Sequence, residues 1–338
     1  MADFSSVSVV ILNYNTRDLL ERFVPVLKQH SGNAQLVVAD NASSDTSVAY
    51  LKKAHTDVKV ICLEENFGFC KGYNEALKQI ETKYTVLLNS DVEVTENWLA
   101  PLIDCLEGDT TIAACQPKIK SYHQKKHFEY AGAAGGFIDY LGYPFCRGRV
   151  FDFVEEDKGQ YDKNMQVFWA SGACMCIRTD VFKEFGGFDS DFFAHMEEID
   201  LCWRWQLAGY SIFSVSESVV YHIGGGTLAY NNPRKVYFNF RNGLFLLFKN
   251  LSKERLLPII FLRMLLDGVA GIKFLLQGEK KAFFAVLSAH LDFYKSLKLL
   301  RRKRKTIEHR TAINTMHPKS VVLAFFLKGQ KTFNKIKT

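Results

Sequence analysis

Four places in the chain carry side chains whose types and spacing could do chemistry. Asn89-Ser90-Asp91 follows the apolar run 84–88 (YTVLL). Glu197, Glu198 and Asp200 crowd three carboxylates together. His222 comes just before Gly224, Gly225 and Gly226. Asn13 and Asn15, Asp40 and Asn41, and Glu65 and Asn66 each follow a short apolar run. A carboxylate at the end of a rigid strand can hold a hard divalent cation, and that cation can hold a diphosphate. Crowding raises the proton affinity of at least one carboxylate, which a general base working near neutral pH requires. Neutral imidazole is a good ligand for an ion such as Mn²⁺, and the triple glycine would leave the surroundings of His222 open. Each feature also has a plain reading. Asp and Asn are ordinary turn residues, a helix dipole favours acids in its first turn, and a lone histidine after a strand is usually structural.

These residues need a frame to hold them. The runs 7–12 (VSVVIL), 35–39 (QLVVA), 58–63 and 84–88 read as strands. Leu19, Leu20, Phe23 and Leu27 recur at helical spacing after Thr16, Ser43 or Ser44 can cap a second helix, and 69–80 reads as a third. Strands alternating with helices predict an α/β fold with a mostly parallel sheet. Right-handed crossovers then put the strand exits on one edge, where ligands of such sheets sit. That edge would collect Asn13, Asn15, Asp40, Asn41, Asn66, Asn89 and Asp91. Turn chemistry explains one or two such exits comfortably, and four in succession less well.

Further along, a helix is expected over 98–106, short strands at 112–115 and 118–120, and a mobile, loop-rich insertion over 121–163. The glycines of that insertion do not form G-x-G-x-x-G after a strand, so there is no dinucleotide fingerprint. The run 168–178 (FWASGACMCIR) predicts two β segments bent at Gly172, where a ligand could approach the backbone closely. Trp169 is either a surface for stacking a sugar or a core residue. A helix should run from Glu197 or Glu198 to Ala208, stopped by Gly209. Strands at 211–215 and 218–221 should flank a turn.

After about Asn231 the pattern turns helical over 237–248, 256–276 and 282–300, rich in Phe and Leu. The expected division is a catalytic domain at 1–230 and a helical, basic region at 231–338. Arg263, Asp267 and Lys273 interrupt the longest apolar stretch. Lying in a membrane interface is therefore favoured over crossing, with a packed helical domain as the competing reading.

The 338 residues are 48% hydrophobic, enough for a sizeable core. The net charge of +7 is concentrated at 301–310 (RRKRKTIEHR) and at the end of the chain. Basic segments beside apolar helices favour an anionic membrane surface over nucleic acid. Eight cysteines include no C-x-x-C pair, which argues against zinc and against a disulfide framework. The opening MADFSSVSVV lacks the segments of a signal peptide. The expectation is a cytoplasmic protein, peripheral at the inner face of the cell membrane.

Seven motifs in order carry a resemblance. They are VSVVILNYN (7–15), VVADNASSD (37–45), ENFGFCKGYN (65–74), LLNSDV (87–92), SGACMCIR (171–178), EEIDLCWR (197–204) and YHIGGG (221–226). Together the chain resembles the family 2 glycosyltransferases of the GT-A fold, in particular their bacterial rhamnosyltransferase-like branch. The resemblance implies an inverting transferase with a nucleotide-diphosphate-sugar donor (UDP- or dTDP-sugar), Mg²⁺ or Mn²⁺, and a glycan or lipid-linked acceptor in surface polysaccharide synthesis. It implies a base-binding role for Asp40, nucleotide contacts from Asn13, Asn15, Asn41, Asn66 and Asn89, and metal or diphosphate contacts from Asp91 and His222. Trp169 and Gly172 would border the sugar.

Two departures stand out. Asn89 takes the place of the first acid of a D-x-D motif, leaving Asp91 and the substrate phosphates to hold a cation. The last acidic motif reads Glu197-Glu198-Ile199-Asp200, so Glu197 and Glu198 are both candidates for the base, with Asp200 beside them. Two other functions compete. A sugar-phosphate nucleotidyltransferase would carry a Gly-rich basic loop where this chain has NYNTRDLL, and a non-catalytic nucleotide-sugar-binding membrane module would tolerate the loss of the first acid.

Overall fold

The structure is a computed structural model that describes residues 3–224, 232–307 and 310–337. The chain begins with alternating strands and helices: β1 (Val7–Asn13), α1 (Arg17–His30), β2 (Gln35–Asp40), α2 (Ser47–Ala54), β3 (Lys59–Cys62), α3 (Gly68–Leu77) and β4 (Tyr84–Leu88). β1 and β4 are apolar on both faces because helices cover the sheet from both sides. β1 pairs in parallel with β2 on one flank and with β4 on the other, and β2 pairs in parallel with β3. The chain thus moves outward through β2 and β3, then crosses back to β4. That reversal opens a crevice at the carboxyl ends of β1 and β4. The cap of α2 is Thr46, not Ser43 or Ser44, because those two serines fold into the crevice loop instead.

β5 (Val92–Val94), α4 (Ala100–Gly108) and β6 (Ile112–Ser121) follow. β6 is one strand and runs straight through Pro117. The proline is tolerated because the antiparallel neighbour beyond β4 pairs with β6 only at Ala114 and Cys115. The segment expected to be a mobile insertion is instead a buried antiparallel meander of β7 (Gly136–Ile138), β8 (Pro144–Cys146), β9 (Arg149–Val150) and β10 (Phe153–Val154). Phe137, Ile138, Phe145 and Val150 are all buried. Asp139 ties the meander together, accepting backbone hydrogen bonds from Leu141 at 3.0 Å, Tyr143 at 2.9 Å and Val321 at 2.9 Å.

The main sheet is completed by β11 (Met165–Val167), β12 (Cys174–Arg178) and β13 (Ser211–His222), with α5 (Thr179–Glu184) and α6 (Glu197–Leu207) between the last two. Only 174–178 of the run around Gly172 is strand. β13 is a single strand with a bulge between Val215 and Val219, where a turn between two strands was expected. The C-terminal part is helical: α7 (Pro233–Asn250), α8 (Lys253–Leu276), α9 (Lys280–Lys295), α10 (Leu297–Arg304), α11 (Val321–Phe326) and α12 (Phe333–Lys337). The core around Trp203 and Trp205 continues without a break into Leu244, Leu246 and Leu247 of α7. One buried core is thus shared by residues on both sides of the expected boundary at residue 230. The cysteines are all free, and most are small core residues.

Candidate active site

The exits of β1 and β2 are joined by side chains. Asn13 Nδ2 donates to Asp40 Oδ1 at 2.7 Å and to Ser43 Oγ at 3.0 Å. The Ser43 amide donates to Asp40 Oδ2 at 3.0 Å. Asn15, with φ of +54°, accepts from the Ser44 amide at 2.8 Å. Asn41 Nδ2 donates to Asn66 Oδ1 at 3.0 Å, while Asn41 Oδ1 accepts from the Phe67 amide at 2.9 Å. Five of the residues singled out from sequence thus form two linked pieces of one rim. Asn13 and Asp40 lie buried beneath it, and Asn15 and Asn66 are exposed on it. Each Asp40 oxygen keeps a lone pair for a further donor.

The exit of β4 meets the end of β13. His222 Nε2 lies 3.1 Å from Asp91 Oδ1, and the Ile223 amide donates to the Asp91 carbonyl at 3.1 Å. Glu129 Oε2 lies 3.1 Å from His222 Nδ1 but is not aligned as a hydrogen bond. Burial alone would lower the imidazole pKa, but the two carboxylates outweigh it and raise it to about 10. Burial acts upward on Asp91, and His222 overrides it to hold the carboxyl below the usual range. This histidine is not open. His222 is buried, and a Cβ on Gly224 would stand 2.4 Å from Glu129 Oε1. Gly225 and Gly226 lie outside the described residues. Asn89 is half-buried, and its amide donates to the Ala173 carbonyl at 3.0 Å.

α6 begins where three residues outside the glycine class, Phe193, His195 and Met196, hold positive φ. Such strain persists only where surrounding contacts fix it, and it clusters at functional sites. Here Asn242 of α7 supplies the contacts, its Nδ2 reaching the carbonyls of Phe192, Ala194 and His195 at 2.9, 2.8 and 2.7 Å. Glu197 is buried, Glu198 is half-buried, and the Oε2 atom of each has no hydrogen-bond partner. Burial, reinforced by Glu198, pushes Glu197 well above the ordinary glutamate value. Burial raises Glu198 to about 7. Asp200 is different. It is fully buried and paired with Lys249 and Arg204, both at 2.9 Å, and with Asn250 Nδ2 at 2.9 Å. Asp200 is thus a packing anchor rather than a third open carboxylate.

Trp169 is not at an open surface. It is 2% exposed, donates from Nε1 to the Phe137 carbonyl at 3.0 Å, and lies against Gly136. The neighbour facing Gly172 is the Phe69 ring, 3.2 Å from where a Cβ would stand. Sequence reasoning missed Glu129, Asn242, Lys249 and Asn250. The last three had a signal: Asn242 and the pair Lys249-Asn250 are polar breaks about two turns apart in a Phe/Leu-rich helix, so they share a face.

Residues 8–186 match the family described as Glycosyl transferase family 2. The chain is 24% identical over 231 residues to an N-acetylglucosaminyl-diphospho-decaprenol L-rhamnosyltransferase of Mycobacterium tuberculosis (strain CDC 1551 / Oshkosh), covering 63% of this chain and 75% of that protein. Its fold is similar to that of S. aureus TarS 1-349 in complex with UDP-GlcNAc, with a TM-score of 0.57 and 17% identity over 88% of this chain and 83% of that one. It is also similar to the mannosyltransferase PcManGT from Pyrobaculum calidifontis in complex with GDP-Man and Mn²⁺, with a TM-score of 0.52 and 15% identity over 89% and 84% of the two chains. The mixed, mostly parallel sheet with flanking helices and a helical C-terminal part is the GT-A arrangement. With the family match spanning more than half of its length, the chain belongs to glycosyl transferase family 2 and is a glycosyltransferase.

Proposed function

We propose that the chain moves a sugar from a nucleoside-diphosphate donor, UDP- or dTDP-linked, to a hydroxyl of a glycan or lipid-linked acceptor in surface polysaccharide synthesis. The transfer is a single displacement that inverts the anomeric centre. The observation that carries this reading is Glu198, a half-buried carboxyl with an unpartnered oxygen and a pKa of about 7 at the start of α6. Asp40, with Asn13, Asn15, Asn41 and Asn66, takes the nucleoside end of the donor, and Asn89 lies on the way to the diphosphate. Asp91 offers a partly exposed carboxylate that suits Mg²⁺ or Mn²⁺ completed by substrate phosphates, and His222, held as an imidazolium between Asp91 and Glu129, would meet the diphosphate, or the ion only after losing its proton. Among the described residues no group of three ligating side chains converges. When bound there, such an ion would offset the charge that develops on the leaving diphosphate.

Glu198 takes the acceptor hydroxyl proton as the oxygen attacks the anomeric carbon. The bond from that carbon to the diphosphate oxygen breaks, and its electron pair leaves with the nucleoside diphosphate. Glu197 keeps its proton because it is the more deeply buried of the pair, which leaves Glu198 as the acceptor. Among the described residues no helix is long and apolar enough to cross a membrane. The name of the mycobacterial relative carries a diphospho-decaprenol acceptor, and we place this chain peripherally at the inner membrane face on that basis.

A thermal-shift screen of nucleotide sugars with Mg²⁺ and Mn²⁺ tests the reading. A ligand at about 100 times its Kd stabilises the folded state by about 2.7 kcal/mol. One UDP- or dTDP-sugar should give a metal-dependent shift in the wild type and none in Asp91→Ala. Shifts absent from the whole panel, or unchanged in Asp91→Ala, would overturn it.

A further inference from the structure

The polarity of α8 is reversed. Its buried residues are Arg263, Asp267 and Gly271, one per turn along the inner face. Arg263 Nε donates to Asp267 Oδ1 at 2.8 Å, and Tyr143 Oη and His290 Nε2 lie 3.3 Å from the Asp267 carboxylate. Arg263 and Asp267 point inward and are matched there, whereas Lys273 is exposed. The outer face carries Leu257, Phe261, Leu265, Val269, Ile272 and Leu276, spaced three or four residues apart over the whole helix. Their exposures run from 53% at Leu265 to 83% at Leu276. α9 continues the surface with exposed Phe284, Leu287 and Leu291, and the end of α11 adds Phe326 and, just beyond it, Leu327. Lys273 of α8 lies 5.2 Å from the Phe326 ring, so α8 and α11 are continuous. Scattered exposed apolar residues are normal on a soluble protein, whereas a contiguous face of this extent marks an interaction site.

We infer that the outer faces of α8, α9 and α11 form one membrane-docking surface that sinks into a single leaflet of an anionic bilayer. Charge complementarity selects this occupant. Exposed Lys253 and Arg255 open α8, Lys280 and Lys281 open α9, and Arg301 and Arg302 lie on α10. Basic groups therefore border the apolar face where phosphate headgroups would lie. A second copy of the chain would bring the same positive rim against itself. Burial of the Arg263–Asp267 pair keeps those two charges out of the acyl region, the flexible stem of exposed Lys273 lets its ammonium reach the headgroups, and no described helix is apolar enough to cross. The surface extends the membrane-linked acceptor reading but does not depend on the sugar chemistry. It would hold the crevice beside a lipid-linked acceptor and restrict the search for that acceptor to two dimensions.

The test uses the full chain and vesicles of phosphatidylglycerol and phosphatidylethanolamine. The wild type should float with these vesicles, and the triple variant Phe261→Ser, Leu265→Ser, Leu276→Ser should bind at least about tenfold more weakly while melting as before. Arg301→Glu with Arg302→Glu should lose binding at low salt more than at high salt. All four native tryptophans are buried, so in Leu265→Trp quenching by brominated lipid acyl chains reports that position alone. A wild type that stays with the soluble fraction, an apolar triple variant that floats as well as the wild type, or an unquenched Trp would overturn the inference. A concentration-dependent dimer dissolved by the triple variant, without vesicle binding, would overturn it in favour of self-association. Release of nucleoside diphosphate from the donor, followed in parallel without vesicles, separates failure of docking from failure of the proposed chemistry.

Discussion

The first turn of α6 holds two opposite treatments of the same functional group. Glu197 and Glu198 sit at its mouth, each with an oxygen that no protein group satisfies, and both have raised proton affinity. Asp200, two residues on, is more deeply buried, yet its carboxyl is held below the usual range. Burial pushes all three upward. Lys249 and Arg204 reverse the sign at Asp200 alone. The helix dipole acts on all three and cannot make the difference. Partners do: the carboxylate met by Lys249 and Arg204 of α7 and α6 is a structural anion, and the two that meet no cation hold a proton more tightly.

The largest effect should come from breaking the open side of this pair. Glu198→Gln removes the carboxylate proposed to take the acceptor proton, and kcat/KM should fall by about 10²–10⁴-fold. In the wild type the base works only when ionised. With its pKa near 7, kcat/KM should fall about tenfold per pH unit below that value and level off above it. The residual rate of Glu198→Gln should show no such limb. Initial rates from pH 5.5 to 8.5 check both statements. A wild-type profile flat through neutral pH, or a variant that keeps the limb, would move the base elsewhere.

Breaking the closed side should cost stability instead. Asp200→Ala leaves Lys249 buried with only Asp189 opposite it, 2.5 Å away, and orphans a hydrogen bond from Asn250. Removing one partner of a buried pair costs about 3 kcal/mol or more. Urea unfolding should show that loss, as a lower midpoint with little change in slope. If Asp200→Ala unfolds like the wild type but loses transfer, Asp200 belongs with the chemistry and the contrast drawn across α6 collapses.

That contrast also marks where the sequence stopped being readable. β1 and β4 are buried on both faces, so their apolar runs showed plainly, and the polar residues that end them had to fall on the sheet edge. Asp91 and His222 were legible as candidates for the same reason, although they are 131 positions apart. Crowding of Glu197, Glu198 and Asp200 was visible, but not their sorting, because Lys249 arrives from a helix 49 residues later. Glu129 was hidden in the connection between β6 and β7, where no strand or helix period marks which residues turn inward. Trp169 looked suited to a sugar because composition cannot tell an indole that stacks from one whose N–H is already satisfied by Phe137.

The smallest effect should come from Glu197→Gln, and it sharpens the comparison most. If Glu197 holds its proton at neutral pH, it is a neutral hydrogen-bonding group of nearly the shape and size of glutamine. The substitution then removes no charge. kcat/KM should stay within about twofold, equivalent to about 0.4 kcal/mol. The acidic limb should stay near 7, because burial rather than the Glu197 charge is what raises Glu198. The opposite assignment makes a different forecast. Were Glu197 the ionised member, its loss would abolish transfer, or it would relieve like-charge repulsion and shift the limb to lower pH. A side-by-side pH profile of Glu197→Gln and the wild type distinguishes the two, since a neutral neighbour leaves the curve in place and an anionic one does not.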